Sequence, residues 1–327
     1  MRSQRLAILS VHTSPLTQPG VGDGGGMNVY VRALGSALTH AGIPCDVFTR
    51  AEHPAQAPVV TLEPGFRVFH VDAGPKVRVP KEDLPGLLDD LVAGFRHALV
   101  SSGGDHLALH GNYWLSGAVA HQLKHELSMP MASTFHTLDR VKAANGAGEP
   151  EPARSALEEA VARCSDLLFA STTAEATQLI DLYGADPDRI EVVPPGVDHA
   201  LFASGDRAAA RRGLGFPAGR PVLLFVGRIQ RLKGLDLAIE TLAELRDPHA
   251  LLVAIGGPSG PGGHEELSRV RDLASDLGVA GQIRWVPPRR HADLVQYYRA
   301  ADVCVVPSRS ESFGLVAVES MSCGTPV

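Results

Sequence analysis

Short apolar runs alternate with longer segments of helical period along the chain, and this alternation limits most strongly what it can fold into. R-L-A-I-L-S-V (5–11), C-D-V-F-T (45–49), F-R-V-F-H-V (66–71), H-L-A-L-H (106–110), M-A-S-T-F-H (131–136), D-L-L-F-A-S-T (166–172) and I-E-V-V-P (190–194) read as strands. Helix patterns lie between them near 26–41, 84–100, 114–128, 153–164 and 173–183. Nearly continuous apolar strands separated by helices predict a parallel sheet covered on both faces. Residues 203–220 are polar and Gly-rich, without strand character, and the pattern then restarts. Strands are expected at 221–227, 249–257, 282–286 and 302–308, with helices near 234–246, 264–277, 291–300 and 315–323. The expected fold class is therefore α/β, with two doubly wound domains, 1–198 and 199–327, meeting near Pro195–Asp198. Four clear strands in the second domain fall short of the roughly six usual in a nucleotide-binding sheet. That shortfall reads as an incomplete second domain.

Composition narrows the function. A net charge of -6 offers no general attraction for nucleic acid or an anionic membrane, so its cations must act locally. Only five of the 30 basic residues are lysines: 76, 81, 124, 142 and 233. The four cysteines (45, 164, 304, 323) lie far apart with no C-x-x-C pair, which points to a reducing, cytoplasmic setting without a disulfide frame or a zinc site. No stretch approaches the ~20 apolar residues of a membrane span.

Chemistry concentrates at strand ends. The first strand runs into Ser10-Val11-His12-Thr13-Ser14 and a loop, Gln18-Pro19-Gly20-Val21-Gly22-Asp23-Gly24-Gly25-Gly26, which opens the next helix. Glycines permit close backbone approach, and a helix N-terminus suits a phosphate. The loop is neither the dinucleotide fingerprint nor a P-loop. The second domain opens in the same way, with Gly227-Arg228 and Lys233-Gly234 after its first strand. Ligands bind at that end of open α/β sheets, and two cations there suit a diphosphate. Glu311 lies in a Ser-rich turn, and Glu319 stands on a helix of small and apolar residues. A carboxylate in such company needs a polar partner, and the diol of a ribose would serve.

G-G-M-N-V-Y-V (25–31), H-G-N-Y-W-L-S-G (110–117), F-H-T-L (135–138), P-P-G-V-D (194–198), F-V-G-R-I-x-x-L-K (225–233) and S-E-S-F-G-L-V-A-V-E (310–319) follow in one order. Together they resemble the retaining family-four glycosyltransferases of the GT-B fold, whose signature is E-x7-E. They look most like the D-inositol-3-phosphate glycosyltransferases of mycothiol biosynthesis. The resemblance implies two Rossmann-like domains facing a cleft, and transfer of N-acetylglucosamine from UDP-GlcNAc to 1D-myo-inositol 3-phosphate.

By position it implies that Arg228 and Lys233 hold the diphosphate, that Glu319 takes the ribose, and that Glu311 and His136 act beside the donor sugar. His12, the loop from Gln18, Pro19 and Gly20 through Asp23 to Gly24, Gly25 and Gly26, Arg289, Phe313 and Gly314 would complete the donor site. Lys81, Tyr113, Thr137 and Arg154 would bind the acceptor phosphate, with Asn28 on the inositol ring. No catalytic metal or organic cofactor is expected. A structural Mg2+ is implied at Tyr298, Arg299, Ala301 and Thr325. The implied partners are a UDP-sugar and a phosphorylated acceptor, with a homodimer compatible with the pattern.

No carboxylate pair in the first-domain motifs offers a glycosyl-enzyme nucleophile of the usual retaining kind. The expected route is front-face displacement, in which the leaving phosphate accepts the proton of the attacking hydroxyl. Rival readings are a same-fold transferase with another acceptor, such as a fructose phosphate or an aminocyclitol, and an inactive nucleotide-sugar-binding fragment. An NAD-dependent enzyme is disfavoured because neither domain carries the dinucleotide fingerprint.

Overall fold

The structure, a computed structural model, describes residues 4–20, 24–146, 149–260 and 262–327. The chain forms two compact units: residues 1–17 with 27–194, and residues 18–26 with 195–327. The glycine-rich loop thus groups with the second unit, although it follows the first strand.

In the first unit the elements run β1 (Gln4–Leu9), α1 (Gly26–His40), β2 (Cys45–Arg50), β3 (Val59–Glu63), β4 (Phe66–Val71), α2 (Leu88–Ser101), β5 (Asp105–Asn112) and α3 (Trp114–Leu127). They continue as β6 (Met131–Thr134), α4 (Asp139–Ala144), α5 (Pro152–Cys164), β7 (Leu167–Ala170), α6 (Thr173–Tyr183) and β8 (Ile190–Val192). Among the described residues the strands form one eight-stranded sheet, ordered β3-β4-β2-β1-β5-β6-β7-β8. Apolar side chains are buried on both faces, Ile8, Val47 and Val68 on one and Ala7, Leu9 and Phe48 on the other. This explains why the strands read as unbroken apolar runs.

The expectation of a wholly parallel sheet needs one correction. β3 pairs with β4 antiparallel, Val59 opposite Phe69 and Thr61 opposite Arg67. Its residues, V-V-T-L-E, are exposed or half-buried at the sheet edge, and the run is mostly β-branched. The Pro64-Gly65 turn that makes the hairpin was the available signal, and Gly65 adopts φ +93° there.

The second unit comprises α7 (Arg207–Leu214), β9 (Val222–Val226), α8 (Leu235–Glu244), β10 (Leu251–Ile255), α9 (Gly263–Asp276), β11 (Ile283–Val286), α10 (Leu294–Ala300), β12 (Val303–Cys304) and α11 (Leu315–Ser322). Its described strands form a parallel four-stranded sheet, β11-β10-β9-β12. The strand expected at 302–308 is cut to two residues: Val305 still donates to the Leu224 carbonyl, but Pro307 has no N–H with which to continue. The polar 203–220 segment is not wholly irregular. Asp206 caps α7 by accepting from Ala209 N–H, and Gly215 ends it in the left-handed conformation. Arg211 then fastens α7 to the Ala300 carbonyl at 2.9 Å and to Asp302 at 2.5 Å.

At the amino ends of four adjacent strands one carboxylate ties the first sheet together. Asp46 on β2 is fully buried and accepts from Arg5 on β1 at 2.7 and 2.8 Å, from Arg67 on β4 at 2.6 and 2.8 Å, and from His106 on β5 at 2.9 Å. Burial alone would raise its pKa, but the bonds from His106, Arg67 and Arg5 outweigh that and hold the carboxyl well below the usual carboxylate range. Removing one partner of a buried charge set costs about 3–5 kcal/mol, so Asp46→Asn is expected to lower stability on that scale at pH 7. Because the native pKa is depressed, the contribution is complete above an unfolded value of about 3.9 and fades as pH falls below it. Denaturant titrations at several pH values should show the Asp46→Asn loss shrinking towards acid. A loss that stays constant with pH would contradict the assignment.

Candidate active site

The carboxyl ends of β1, β5 and β6 carry the first-unit residues singled out by sequence. Tyr113 follows β5 and precedes α3 with φ 75° and ψ 155°, a region that side-chain-bearing residues rarely enter. Its N–H donates to the Thr134 carbonyl at 2.8 Å, and its carbonyl accepts from Gly117 N–H at 2.8 Å. The phenol ring lies against His12, with ring centres 4.4 Å apart. The Arg154 guanidinium lies 5.5 Å from the Tyr113 ring centre and 3.5 Å from Thr137 Oγ1. Burial lifts the Tyr113 hydroxyl above its usual pKa, while the nearby charges of Arg154 and Lys81 oppose the shift. The structure therefore brings together Lys81, Tyr113, Thr137 and Arg154, which are scattered over 74 positions of sequence from 81 to 154.

Arg154 is buried and needs its own compensation. Glu158, one turn further along α5, accepts from Arg154 Nε at 2.8 Å, from Asp139 N–H at 2.9 Å and from the Tyr183 hydroxyl at 2.6 Å. Asp139 in turn accepts from Glu151 N–H and Ser155 Oγ, both at 2.8 Å. Sequence reading missed Glu158, Asp139 and Tyr183. Glu158 four residues after Arg154 on a helix was the one visible clue. Lys81 itself bonds Glu82 at 2.5 Å.

Asn28 is buried in the first turn of α1, and its amide nitrogen donates to Thr13 Oγ1 at 2.7 Å and to the Ser14 carbonyl at 2.6 Å. Both amide hydrogens are thus spent on the chain's own loop, and Asn28 shapes that loop. His136 stands in the left-handed region, φ 62°, with Nε2 2.9 Å from Asn112 Oδ1. Burial, reinforced by His110 and His12, pushes its pKa down to about 3, so the ring is neutral and weakly basic. With Nε2 donating to Asn112, Nδ1 is the acceptor nitrogen.

In the second unit, β9 ends at a loop that the sequence marked by Arg228 and Lys233. Gly234 closes the loop with φ +69°, and a Cβ there would meet the Pro307 carbonyl oxygen at 2.1 Å. Only glycine fits. Lys233 Nζ donates to Glu311 Oε2 at 2.7 Å, and Ser308 Oγ donates to the same oxygen at 3.2 Å. Two residues expected on different parts of a ligand are here each other's partners. Arg309 anchors this turn with a two-pronged grip on Asp236 at 2.8 and 2.9 Å, and also donates to the Arg231 carbonyl at 2.7 Å. Asp236 also accepts from Arg269 at 2.9 Å. No local pattern marks this support, because Asp236, Arg269 and Arg309 are widely spaced.

The described residues of the Gln18–Gly26 loop, 18–20 and 24–26, lie by this site. Gln18 Nε2 donates to the Pro288 carbonyl at 3.3 Å, Gly20 N–H donates to the Gly24 carbonyl at 2.9 Å, and a Cβ on Gly25 would sit 3.5 Å from Arg228 Nε. Pro19 is part of the same turn, Gly26 opens α1, and Asp23 lies outside the described residues. Arg289 is exposed near Asp293, Phe313 is half-buried, and Gly314 caps α11 with φ +86°.

Glu319 is buried on α11, as its apolar neighbours required a partner to allow. His291 Nε2 at 2.6 Å and the Tyr298 hydroxyl at 2.7 Å supply it. Of the residues implied for a magnesium ion, Tyr298 and Thr325 meet directly, Thr325 Oγ1 donating to the Tyr298 carbonyl at 2.6 Å. Ala301 N–H shares that carbonyl at 3.2 Å, and Arg299 Nε donates to the Ala203 carbonyl at 2.8 Å.

Two family models cover most of the chain: a glycosyl transferase 4-like domain over residues 25–196, and glycosyl transferases group 1 over residues 206–327. The chain belongs to the family-four glycosyltransferases. The D-inositol 3-phosphate glycosyltransferase of Acidothermus cellulolyticus is 48% identical over 334 residues, covering 99% of this chain and 74% of that protein. The enzyme of the same name from Mycobacterium tuberculosis is 46% identical over 328 residues, covering 99% and 68%. Among solved structures, sucrose-phosphate synthase from Thermosynechococcus elongatus matches with TM-score 0.91 and 35% identity over 99% of this chain and 80% of that one. The Anabaena protein HepE, solved with UDP-glucose, matches at TM-score 0.72 and 20% identity over 99% and 80%, a likeness of fold. This transferase thus carries the two Rossmann-like units of the GT-B class, and no described helix is long and apolar enough to cross a membrane.

The buried histidines give the first unit an acid sensitivity. His110, bonded to Thr134 Oγ1 at 2.8 Å, is pushed by burial down to about 4, beside His136 at about 3. Unfolding returns both to about 6.5, so the unfolded chain binds protons first and stability falls as pH drops below that value. Melting temperatures from pH 8 to pH 5 should decline. His136→Asn, which tolerates the left-handed backbone, should flatten part of that slope. An unchanged slope would mean that His136 titrates normally.

Proposed function

We propose that this enzyme transfers N-acetylglucosamine from UDP-GlcNAc to 1D-myo-inositol 3-phosphate with retention of configuration. The grouping of Lys81, Tyr113, Thr137 and Arg154 carries the reading. Two hydroxyls just beyond strand ends with two cations beside them suit a phosphate monoester, and the relatives named D-inositol 3-phosphate glycosyltransferase support inositol phosphate as its bearer. On the donor side Arg228 and Lys233 would neutralise the diphosphate and Glu319 would take the ribose.

The chemistry of His136 favours the front-face route. A ring with a pKa near 3 is a poor general base at neutral pH. Glu158 and Asp139 are spent on Arg154 and on backbone amides, which leaves neither as a nucleophile. The leaving phosphate is then the proton acceptor, and the protein contributes leaving-group stabilisation and alignment. Lys233 must exchange Glu311 for the diphosphate during this cycle, or hold both. A structural magnesium ion at the α10–α11 junction would have to take the Tyr298 carbonyl from Thr325 Oγ1 and Ala301 N–H, and no step is assigned to it. Four free cysteines fit a reducing cytoplasm.

A second reading, transfer to a sugar phosphate such as a fructose phosphate, draws support from the likeness to sucrose-phosphate synthase. UDP release from UDP-GlcNAc separates the two when inositol 3-phosphate, free inositol and a fructose phosphate are compared. Inositol 3-phosphate should be preferred. Because Arg154 is bound into the fold through Glu158, Lys81→Ala is the cleaner probe. A charged hydrogen bond contributes about 1.5–3 kcal/mol, so this variant should lose roughly tenfold or more in kcat/KM for the phosphorylated acceptor, with UDP affinity intact. Equal use of inositol and its phosphate would overturn the acceptor assignment. For the donor, Glu319→Gln should weaken UDP more than inorganic diphosphate in calorimetry. Equal losses for both would remove Glu319 from the ribose.

A further inference from the structure

The far end of α3 carries a second group of chemically capable side chains. His121 and His125 are one turn apart on the same face, and Cys164 is the last residue of α5. One ligand atom from each of the three lies within 4.8 Å of the others. His125 Nε2 stands 3.2 Å from Cys164 Sγ, and the two imidazole centres are 5.2 Å apart. His121 Nδ1 is buried and has no hydrogen-bond partner among the described residues. Lys124 holds the chain in place by donating to the Cys164 carbonyl and to Asp166, both at 2.7 Å.

We propose that His121, His125 and Cys164 form a binding site for a zinc-like divalent cation. Zinc bonds of about 2.0–2.1 Å to nitrogen and 2.3 Å to sulfur set a tetrahedral N···S edge of about 3.6 Å and an N···N edge of about 3.3 Å. The observed His125–Cys164 separation needs only a small opening to match the first of these. A thiolate with two imidazoles suits zinc and its neighbours in the first transition series and not Mg2+ or Ca2+. On binding, the Cys164 thiol gives its proton to solvent, both imidazoles bind as neutral ligands, and a water fills the fourth position. The ion would clip the end of α3, whose other end is set by Tyr113, to the end of α5, which bears Arg154. The site is independent of the substrate reading.

The test uses the whole chain, stripped of metal. Equilibrium dialysis against Zn2+ should show one tight equivalent, and Co2+ should give tetrahedral visible bands together with a thiolate-to-cobalt charge-transfer band. Cys164→Ser and His125→Ala should each weaken zinc binding at least about tenfold, the lower end of what even outer-sphere losses cost, with circular dichroism unchanged. His97→Ala, an exposed histidine on α2, should bind as the parent does. Zinc affinity unaffected by Cys164→Ser, a cobalt spectrum lacking the thiolate band, or failure to retain zinc at micromolar concentration would each overturn the site.

Discussion

The first unit depends on the neutralisation of one buried carboxylate. Asp46 is the sole acid in a set with two guanidiniums and an imidazole, and the strands that carry them, β4, β2, β1 and β5, are neighbours in the sheet. Pinning their amino ends fixes register and twist. The opposite ends, where His12 and Tyr113 emerge, are then positioned by a set of bonds that never touches a ligand. Structure and chemistry are separated along the length of the same strands, which is the general economy of open α/β sheets.

What the sequence disclosed follows from how far each signal reaches. Strand and helix patterns are local, and so β5, α3 and β9 fell close to where periodicity put them. β3 was harder to see because its V-V-T-L run is short and ends at the Pro64-Gly65 turn. α7 was hidden because R-A-A-A-R-R-G-L carries no large apolar side chain before Leu214. Tyr113 and Thr137 were legible through their motifs, whereas the supports around them were not. Nothing at Glu158, Asp236 or Arg309 distinguishes a buried charge from a surface one until the fold places each beside its partner. The same blindness applied to Cys164, which a reading of cysteine spacing alone dismissed. Its companions are histidines on another helix.

The second unit organises its charges differently. Lys233 and Glu311 are partly exposed and paired, so their mutual attraction is modest and can be exchanged for a ligand at small cost. The neighbouring Arg309–Asp236 pair is less exposed, its carboxylate buried and gripped by two bonds. Burial alone would raise the Asp236 pKa, yet the bonds from Arg309 and Arg269 hold it below its usual range. The loop thus combines a more exposed ion pair with a less exposed one that ties it to α8.

Tyr113 has a consequence for how this scaffold can change. Its backbone sits where glycine alone is at ease, so every other residue at that position carries the same conformational penalty that tyrosine does. A glycine there would relieve the backbone but would remove a buried ring from the core and with it the aromatic wall beside His12 and Arg154. Folding at this position therefore sets relief of backbone strain against loss of a buried ring. Lys81 and Thr137 carry no such penalty, so substitutions there alter the surroundings of Tyr113 without touching a strained backbone.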